Sequence, residues 1–181
     1  RVEVDRVNRT SRWTNTARPA PSACANVPTL TRRNSSTPRS SRTGSVSACI
    51  RVGVIGLGTM GVGIVEVFAR NGIDVVAMEV DDAAVERGKG VLAKSTGRAL
   101  DRGKITQEDH DALHARVTYT TDMGDFADCQ LVVEAVPEQL HLKKELFGRL
   151  DTIVAPDAIL ATNTSSLPVT EIAVATSNPK R

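Results

Sequence analysis

Residues 51–61 read Arg-Val-Gly-Val-Ile-Gly-Leu-Gly-Thr-Met-Gly. Positions 51–56 form a short apolar run with β-branched residues, the pattern of a strand buried on both faces of a parallel sheet. The run flows into Gly56-Leu57-Gly58-Thr59-Met60-Gly61, a G-x-G-x-x-G spacing. Val62 to Arg70, with apolar Ile64, Val65, Val67 and Phe68, reads as a helix, and Asn71-Gly72 supplies its stop. Asp74 to Glu79 reads as a second strand. Strand, glycine turn, helix and strand make a β-α-β unit whose turn can receive phosphates. Gly56 permits the tight turn, Gly58 leaves room for a pyrophosphate beside the backbone, and Gly61 lets the helix pack closely on the strand. Unpaired amides at the helix start, with the positive end of its dipole, face the phosphates. The plain alternative is a glycine-rich turn with no ligand.

Glu79 ends the second strand. A carboxylate there can accept hydrogen bonds from both ribose hydroxyls of NAD and repels a 2′-phosphate. Val80-Asp81-Asp82 offers no basic residue to bind one, so the pattern favours NAD over NADP. A solvated strand-end charge is the competing reading.

Further along, residues 82–102 read as a long helix weakened by Gly88, Gly90 and Gly97. A second helical stretch follows, with Thr106 and Asp109 spaced as a capping box. Strands are expected at 117–121, Leu131–Val136 and Ile159–Thr162. An amphipathic helix is expected at 139–150, and a short one at Val169–Ala175. Alternating strands and helices define an α/β fold, a Rossmann-type parallel sheet with a long helical insertion after the second strand. Ligands of such sheets bind outside the carboxyl ends of the strands. Gly56–Gly61, Glu79, Ala135–Glu138 and Thr162–Ser166 should therefore converge on one crevice.

The 181 residues carry a net charge of +2, which hides two unlike parts. Residues 1–50 hold nine Arg, no Lys, only Glu3 and Asp5, and fifteen Ser or Thr, whereas residues 51–181 are net acidic. The first part lacks a periodic apolar pattern, so it is expected to be a disordered extension that is not part of the native protein. An organelle transit segment is one alternative. An arginine-rich arm for nucleic acid is another, disfavoured because Trp13 is the one aromatic among the arginines. Cys24, Cys49 and Cys129 form no metal spacing, and no metal is expected. Cys129, just before an apolar strand, is expected to be a buried thiol. His110 and His114 lie four apart, a spacing that could hold a metal, but an exposed helix face is the expectation. No apolar stretch is long enough for a membrane span. The expected compartment is cytoplasmic, or an organelle matrix if residues 1–50 act as a transit segment.

Four blocks together carry a family resemblance. They are the glycine loop, Val-Val-Glu-Ala-Val-Pro-Glu at 132–138, Lys143-Lys144-Glu145-Leu146-Phe147, and Ala-Thr-Asn-Thr-Ser-Ser-Leu at 161–167. Residues 51–181 resemble the NAD-binding domain of the 3-hydroxyacyl-CoA dehydrogenases, including the bacterial 3-hydroxybutyryl-CoA enzymes. The resemblance implies hydride transfer between NAD and the 3-carbon of a 3-hydroxyacyl-CoA, as in fatty-acid or butanoyl-CoA metabolism. It implies cofactor contacts from Gly56, Leu57, Gly58, Thr59, Met60, Gly61 and Ala135. Glu79 stands where the family usually has Asp. Glu138 and Lys143 match positions on the nicotinamide side, although Lys143 also reads as a solvated helix face. Ser165 matches the serine that hydrogen-bonds the substrate's 3-oxygen. Ser95 matches a coenzyme A contact, and Arg102 stands where a lysine does the same job, with Lys104 a nearby alternative. On the residues alone, Ser165-Ser166 also reads as an ST-turn or a helix cap.

A serine here orients and polarises an oxygen and need not be a nucleophile. With no Cys or His partner in the sequence, a hydrolase is disfavoured. In the family a His-Phe-Phe-Asn-Pro segment beyond the serine carries the general base, and a helical C-terminal domain forms a homodimer. Neither is in these 181 residues, so the chain alone is expected to be inactive, and dimerisation belongs to a full-length parent. Two other functions remain open: a different NAD-dependent β-hydroxyacid dehydrogenase, and a non-catalytic dinucleotide-binding module.

Overall fold

A computed structural model of the chain describes residues 50–181. The expected disordered extension, with Cys24 and Cys49, lies outside the described residues. Five strands form one parallel sheet: β1 (Arg51–Ile55), β2 (Asp74–Met78), β3 (Val117–Thr120), β4 (Leu131–Glu134) and β5 (Ile159–Thr162), in the order β3-β2-β1-β4-β5. The helices are α1 (Thr59–Arg70), α2 (Asp82–Asp101), α3 (Gln107–Ala115), α4 (Leu140–Asp151) and α5 (Val169–Ala173). A single 3-10 turn, Met123–Phe126, precedes β4.

Alternation along the central strands divides the core in two. Val52 and Val54 of β1 join Val75 and Ala77 of β2 under α1, α2 and α3. Ile55, Val76 and Met78 face the other way, onto Phe126 and the α4 side chains Leu146, Phe147 and Leu150. Successive strand residues point to opposite faces, and here both faces are covered by helix. The continuous apolar runs in the sequence follow from that double burial. Cys129 is buried in the α4-side core, and desolvation pushes its thiol up to about 11, so it is held protonated and inert. Among the described residues no helix is long and apolar enough to cross a membrane.

Three element boundaries differ from the sequence expectation by two residues or more. α1 begins at Thr59, inside the glycine motif, and not at Val62. The Val62 N–H already bonds the Gly58 carbonyl at 2.9 Å, so the free first-turn amides belong to the loop itself. β4 stops at Glu134 and not Val136, because the Val136 N–H turns back to Oε1 of Glu134 at 2.6 Å. α5 stops at Ala173. The Thr106–Asp109 capping box forms as expected, with both reciprocal bonds at 3.1 Å.

The chain leaves β1 toward β2 and β3 on one side, and returns to β4 and β5 on the other. The order therefore reverses between β1 and β4. At such a switch point the loops after neighbouring strands part and leave a crevice at the strand carboxyl ends.

Candidate functional site

A crevice of about 710 Å³ opens at that point. Its walls are the glycine loop (Gly56, Gly58, Thr59, Met60), the end of β2 (Glu79, Val80) and the turn after β4 (Ala135 to Glu138). Leu142, Leu146 and Asn163 complete it. That size matches a ligand pocket for a cofactor-scale molecule.

The three motif glycines serve different ends. Gly56 has φ +90°, a conformation that other residues rarely adopt, and a Cβ there would stand 2.8 Å from the Ala135 carbonyl oxygen. At Gly61 a Cβ would overlap the Gly56 carbonyl, so this glycine lets α1 sit directly on the turn. At Gly58 a Cβ meets no atom within 4 Å, and φ is an ordinary −69°. Neither strain nor internal packing demands glycine there, which leaves approach from outside as its physical reason. The first turn of α1 holds no acidic residue, so its positive end is uncompensated within the helix. Gly88 of α2, read from the sequence only as a weak point, makes room for the loop: a Cβ would come 2.6 Å from the Leu57 side chain.

Glu79 closes one end of the crevice. Its Oε1 accepts the Leu57 N–H at 2.7 Å and its Oε2 the Val80 N–H at 3.0 Å. It is therefore fixed against the glycine loop and is not a freely solvated strand-end charge. Each carboxylate oxygen keeps a further lone pair for an outside donor.

At the other end stands a polar network only partly read from the sequence. Oε1 of Glu138 accepts the hydroxyls of Thr164 and, at 3.1 Å, Ser166, while its Oε2 pairs with Nζ of Lys143 at 3.2 Å. The Thr164 hydroxyl holds the Glu138 carboxyl well below the ordinary 4.5, at about 2, with smaller help from Lys143 and Ser166. Because the folded value is depressed, the stabilisation this carboxylate brings is present above about 4.5 and is lost as pH falls toward 2. Thr164→Val is expected to raise the Glu138 midpoint toward 4.5, read by carboxyl ¹³C NMR titration. An unchanged midpoint contradicts the hydroxyl as the main cause.

Lys143 is fully buried, so its alternative as a solvated helix face does not hold. Glu134, which the sequence reading passed over as part of an apolar strand, is equally buried and pairs with Lys143 at 3.1 Å. A carboxylate inside Val-Val-Glu-Ala-Val was the available signal. Asn163, Thr164 and Ser166 were also missed as individual site residues.

Ser165 is exposed and lies between Thr164 and Ser166, both anchored on Glu138. Its own hydroxyl has no hydrogen-bond partner among the described residues. The ST-turn expected as an alternative for the serines is made instead by Thr164, whose oxygen accepts the N–H groups of Ser166 (3.4 Å) and Leu167 (3.1 Å). Among the expected cofactor contacts, Leu57, Gly61 and Lys143 stand behind the crevice wall and the others line it.

Ser95 and Arg102 are not brought to the crevice. α2 starts beside Val80 and runs away from it, so at 1.5 Å per residue Ser95 lies about 20 Å along the helix. The Ser95 hydroxyl donates to Glu66 of α1 at 2.7 Å, and Arg102 is the exposed C-cap. Nor is α3 an exposed histidine face: His114 Nε2 lies 3.0 Å from the Thr96 hydroxyl, and its ring packs 4.5 Å from that of His110. Among the described residues no histidine lines the crevice.

A parallel sheet with this strand order, a glycine loop at its switch point and an acid at the end of β2 define a dinucleotide-binding domain of the Rossmann type. The chain belongs to the 3-hydroxyacyl-CoA dehydrogenase family: the family model "3-hydroxyacyl-CoA dehydrogenase, NAD binding domain" matches residues 51–181. It is 46% identical over 132 residues to a 3-hydroxybutyryl-CoA dehydrogenase of Mycobacterium tuberculosis, covering 72% of this chain and 46% of the relative. It is 47% identical over 130 residues to a probable 3-hydroxybutyryl-CoA dehydrogenase of Deinococcus radiodurans, with 72% and 46% covered. The crystal structure of M. tuberculosis FadB2 superposes with a TM-score of 0.73 at 46% identity, over 75% of this chain and 48% of that one. The chain thus spans about half the length of the curated relatives it matches. The cofactor that family and fold indicate is NAD.

Proposed function

We propose that this domain serves NAD-dependent oxidoreduction at the 3-carbon of 3-hydroxyacyl-CoA thioesters. The observation that carries the reading is the pairing of the glycine-loop crevice with a hydroxyl, Ser165, left free between two residues tied to a crevice carboxylate. Gly56, Gly58, Thr59 and Met60 would receive the pyrophosphate, and Glu79 the adenosine ribose. Ala135, Glu138 and Asn163 would border the nicotinamide. NAD supplies the hydride chemistry when bound. The chain's own part is to hold the cofactor and to aim a hydroxyl. Ser165 would hydrogen-bond the substrate's 3-oxygen as charge develops on it, while Ser166, already donating to Glu138, is not free to do so. The proton of the 3-hydroxyl needs a base, and no histidine among the described residues is placed to take it.

Ser95 and Arg102, well along α2, would reach only the distal part of a coenzyme A. The names of the relatives support a short acyl chain. Cytoplasmic location and a role in fatty-acid or butanoyl-CoA metabolism are part of the same proposal.

The test adds acetoacetyl-CoA to the NADH-loaded protein and follows cofactor fluorescence and absorbance together. A saturable change, weakened several-fold by Ser165→Ala, supports the reading. No change, or one that Ser165→Ala leaves intact, contradicts it.

A further inference from the structure

We propose that Thr164 is a positioning residue: its hydroxyl closes the turn that carries Ser165 and ties that turn to Glu138, so that the free serine hydroxyl is held in one direction. The inference deepens the reading of Ser165 given above and rests on it.

Ser165 has no side-chain bond of its own among the described residues, so the backbone around it sets where its hydroxyl stands. That backbone is anchored on both sides. Upstream, the Asn163 N–H bonds the Glu134 carbonyl at 2.8 Å, at the end of β4. Downstream, Leu167 packs against the α4-side core and Pro168 caps α5. Between these anchors the turn is closed by a side chain. A hydroxyl has one hydrogen to give and two lone pairs to receive with. Thr164 uses all three: its hydrogen goes to Oε1 of Glu138, and its oxygen accepts the N–H groups of Ser166 at 3.4 Å and Leu167 at 3.1 Å.

The two bonds inside the turn are a local habit of threonine and serine. The bond to Glu138 is not local, since it spans 26 residues and reaches a residue of the crevice wall. Ser166 adds a second tether, 3.1 Å to the same carboxylate oxygen. Ser165 therefore stands between two hydroxyls that converge on one oxygen, and of the three it alone is untethered. Supporting bonds of this kind keep a contact residue in productive geometry, and a shift of about 1 Å is enough to lose it. Valine in place of Thr164 keeps the branched shape but has neither hydrogen nor lone pair. Serine there keeps both and loses only the methyl.

The test measures acetoacetyl-CoA affinity through cofactor fluorescence, in protein saturated with NADH and below every melting point. Saturation keeps any change in cofactor affinity through Glu138 out of the readout. The parent chain is compared with Thr164→Val, Thr164→Ser, Ser165→Ala and the double variant Thr164→Val with Ser165→Ala. Thr164→Val is expected to weaken acetoacetyl-CoA several-fold, the scale of one hydrogen bond. Thr164→Ser should stay within about twofold of the parent. On the Ser165→Ala background the hydroxyl to be aimed is gone, so Thr164→Val should cause no further loss, because residues that act through one another are not additive. Losses that add would place the effect of Thr164 elsewhere in the fold and overturn the proposal. A Thr164→Ser as weak as Thr164→Val would assign the effect to the methyl, and unchanged affinity in Thr164→Val would remove it altogether; either result overturns the proposal too. If the parent binds acetoacetyl-CoA and Ser165→Ala binds it equally well, the reading of Ser165 itself fails and the inference with it.

Discussion

Gly58→Asp is expected to abolish NADH binding, weakening it about 100-fold or more, while leaving the melting temperature within a few degrees of the parent. The two halves of this expectation come from one geometric fact. A Cβ at Gly58 has no protein atom within 4 Å, and the backbone there is in an ordinary region, so the fold has room for a side chain. The room is the crevice, and a carboxylate placed in it would stand where the pyrophosphate must approach the α1 amides. Like charges meeting in a partly desolvated cleft cost several kcal/mol. Isothermal titration with NADH, paired with thermal melting, separates the two readouts. Retained binding would mean the phosphates lie elsewhere, and a collapsed melting temperature would mean Gly58 has an internal role that the packing does not reveal.

Three residues on, Gly61→Ala is expected to fail in the opposite way. The added methyl would overlap the Gly56 carbonyl oxygen and lie 2.9 Å from its carbon, both rigid backbone at the end of β1. α1 cannot yield without lifting Val62 and Val65 from the core beneath it. Overpacking a tight core costs about 1–3 kcal/mol and occasionally more, and backbone contact puts this site at the upper end. For a domain of this size that lowers the melting temperature by about 10 °C. Denaturant unfolding measures the loss directly, and a variant as stable as the parent would contradict the close docking of α1 on the turn.

The fold was legible because its strands are buried on both faces. That burial demands continuous runs without polar residues, such as Val-Gly-Val-Ile, which no surface strand needs. The glycine-loop end of the crevice was legible for a related reason: the glycine loop and Glu79 are local, and their placement together follows from chain geometry within one β-α-β unit. The other end was not. Whether Lys143 points outward or inward is decided by how α4 docks on the sheet, and only that docking brings Glu134 within reach. The distinction between Ser165 and Ser166 depends on Glu138, far off in sequence, holding the second hydroxyl and not the first. Nor could motif spacing show that the Ser95 hydroxyl donates to Glu66, 29 residues away on α1.

A crevice that is read at one end by Glu79 should take NAD in preference to NADP. Titrating the chain with NADH and with NADPH side by side, following cofactor fluorescence, tests this. Saturable NADH binding with NADPH at least about tenfold weaker is the predicted result, because the 2′-phosphate would meet a carboxylate fixed on the Leu57 and Val80 amides. Equal binding of the two, or binding of neither, would contradict it.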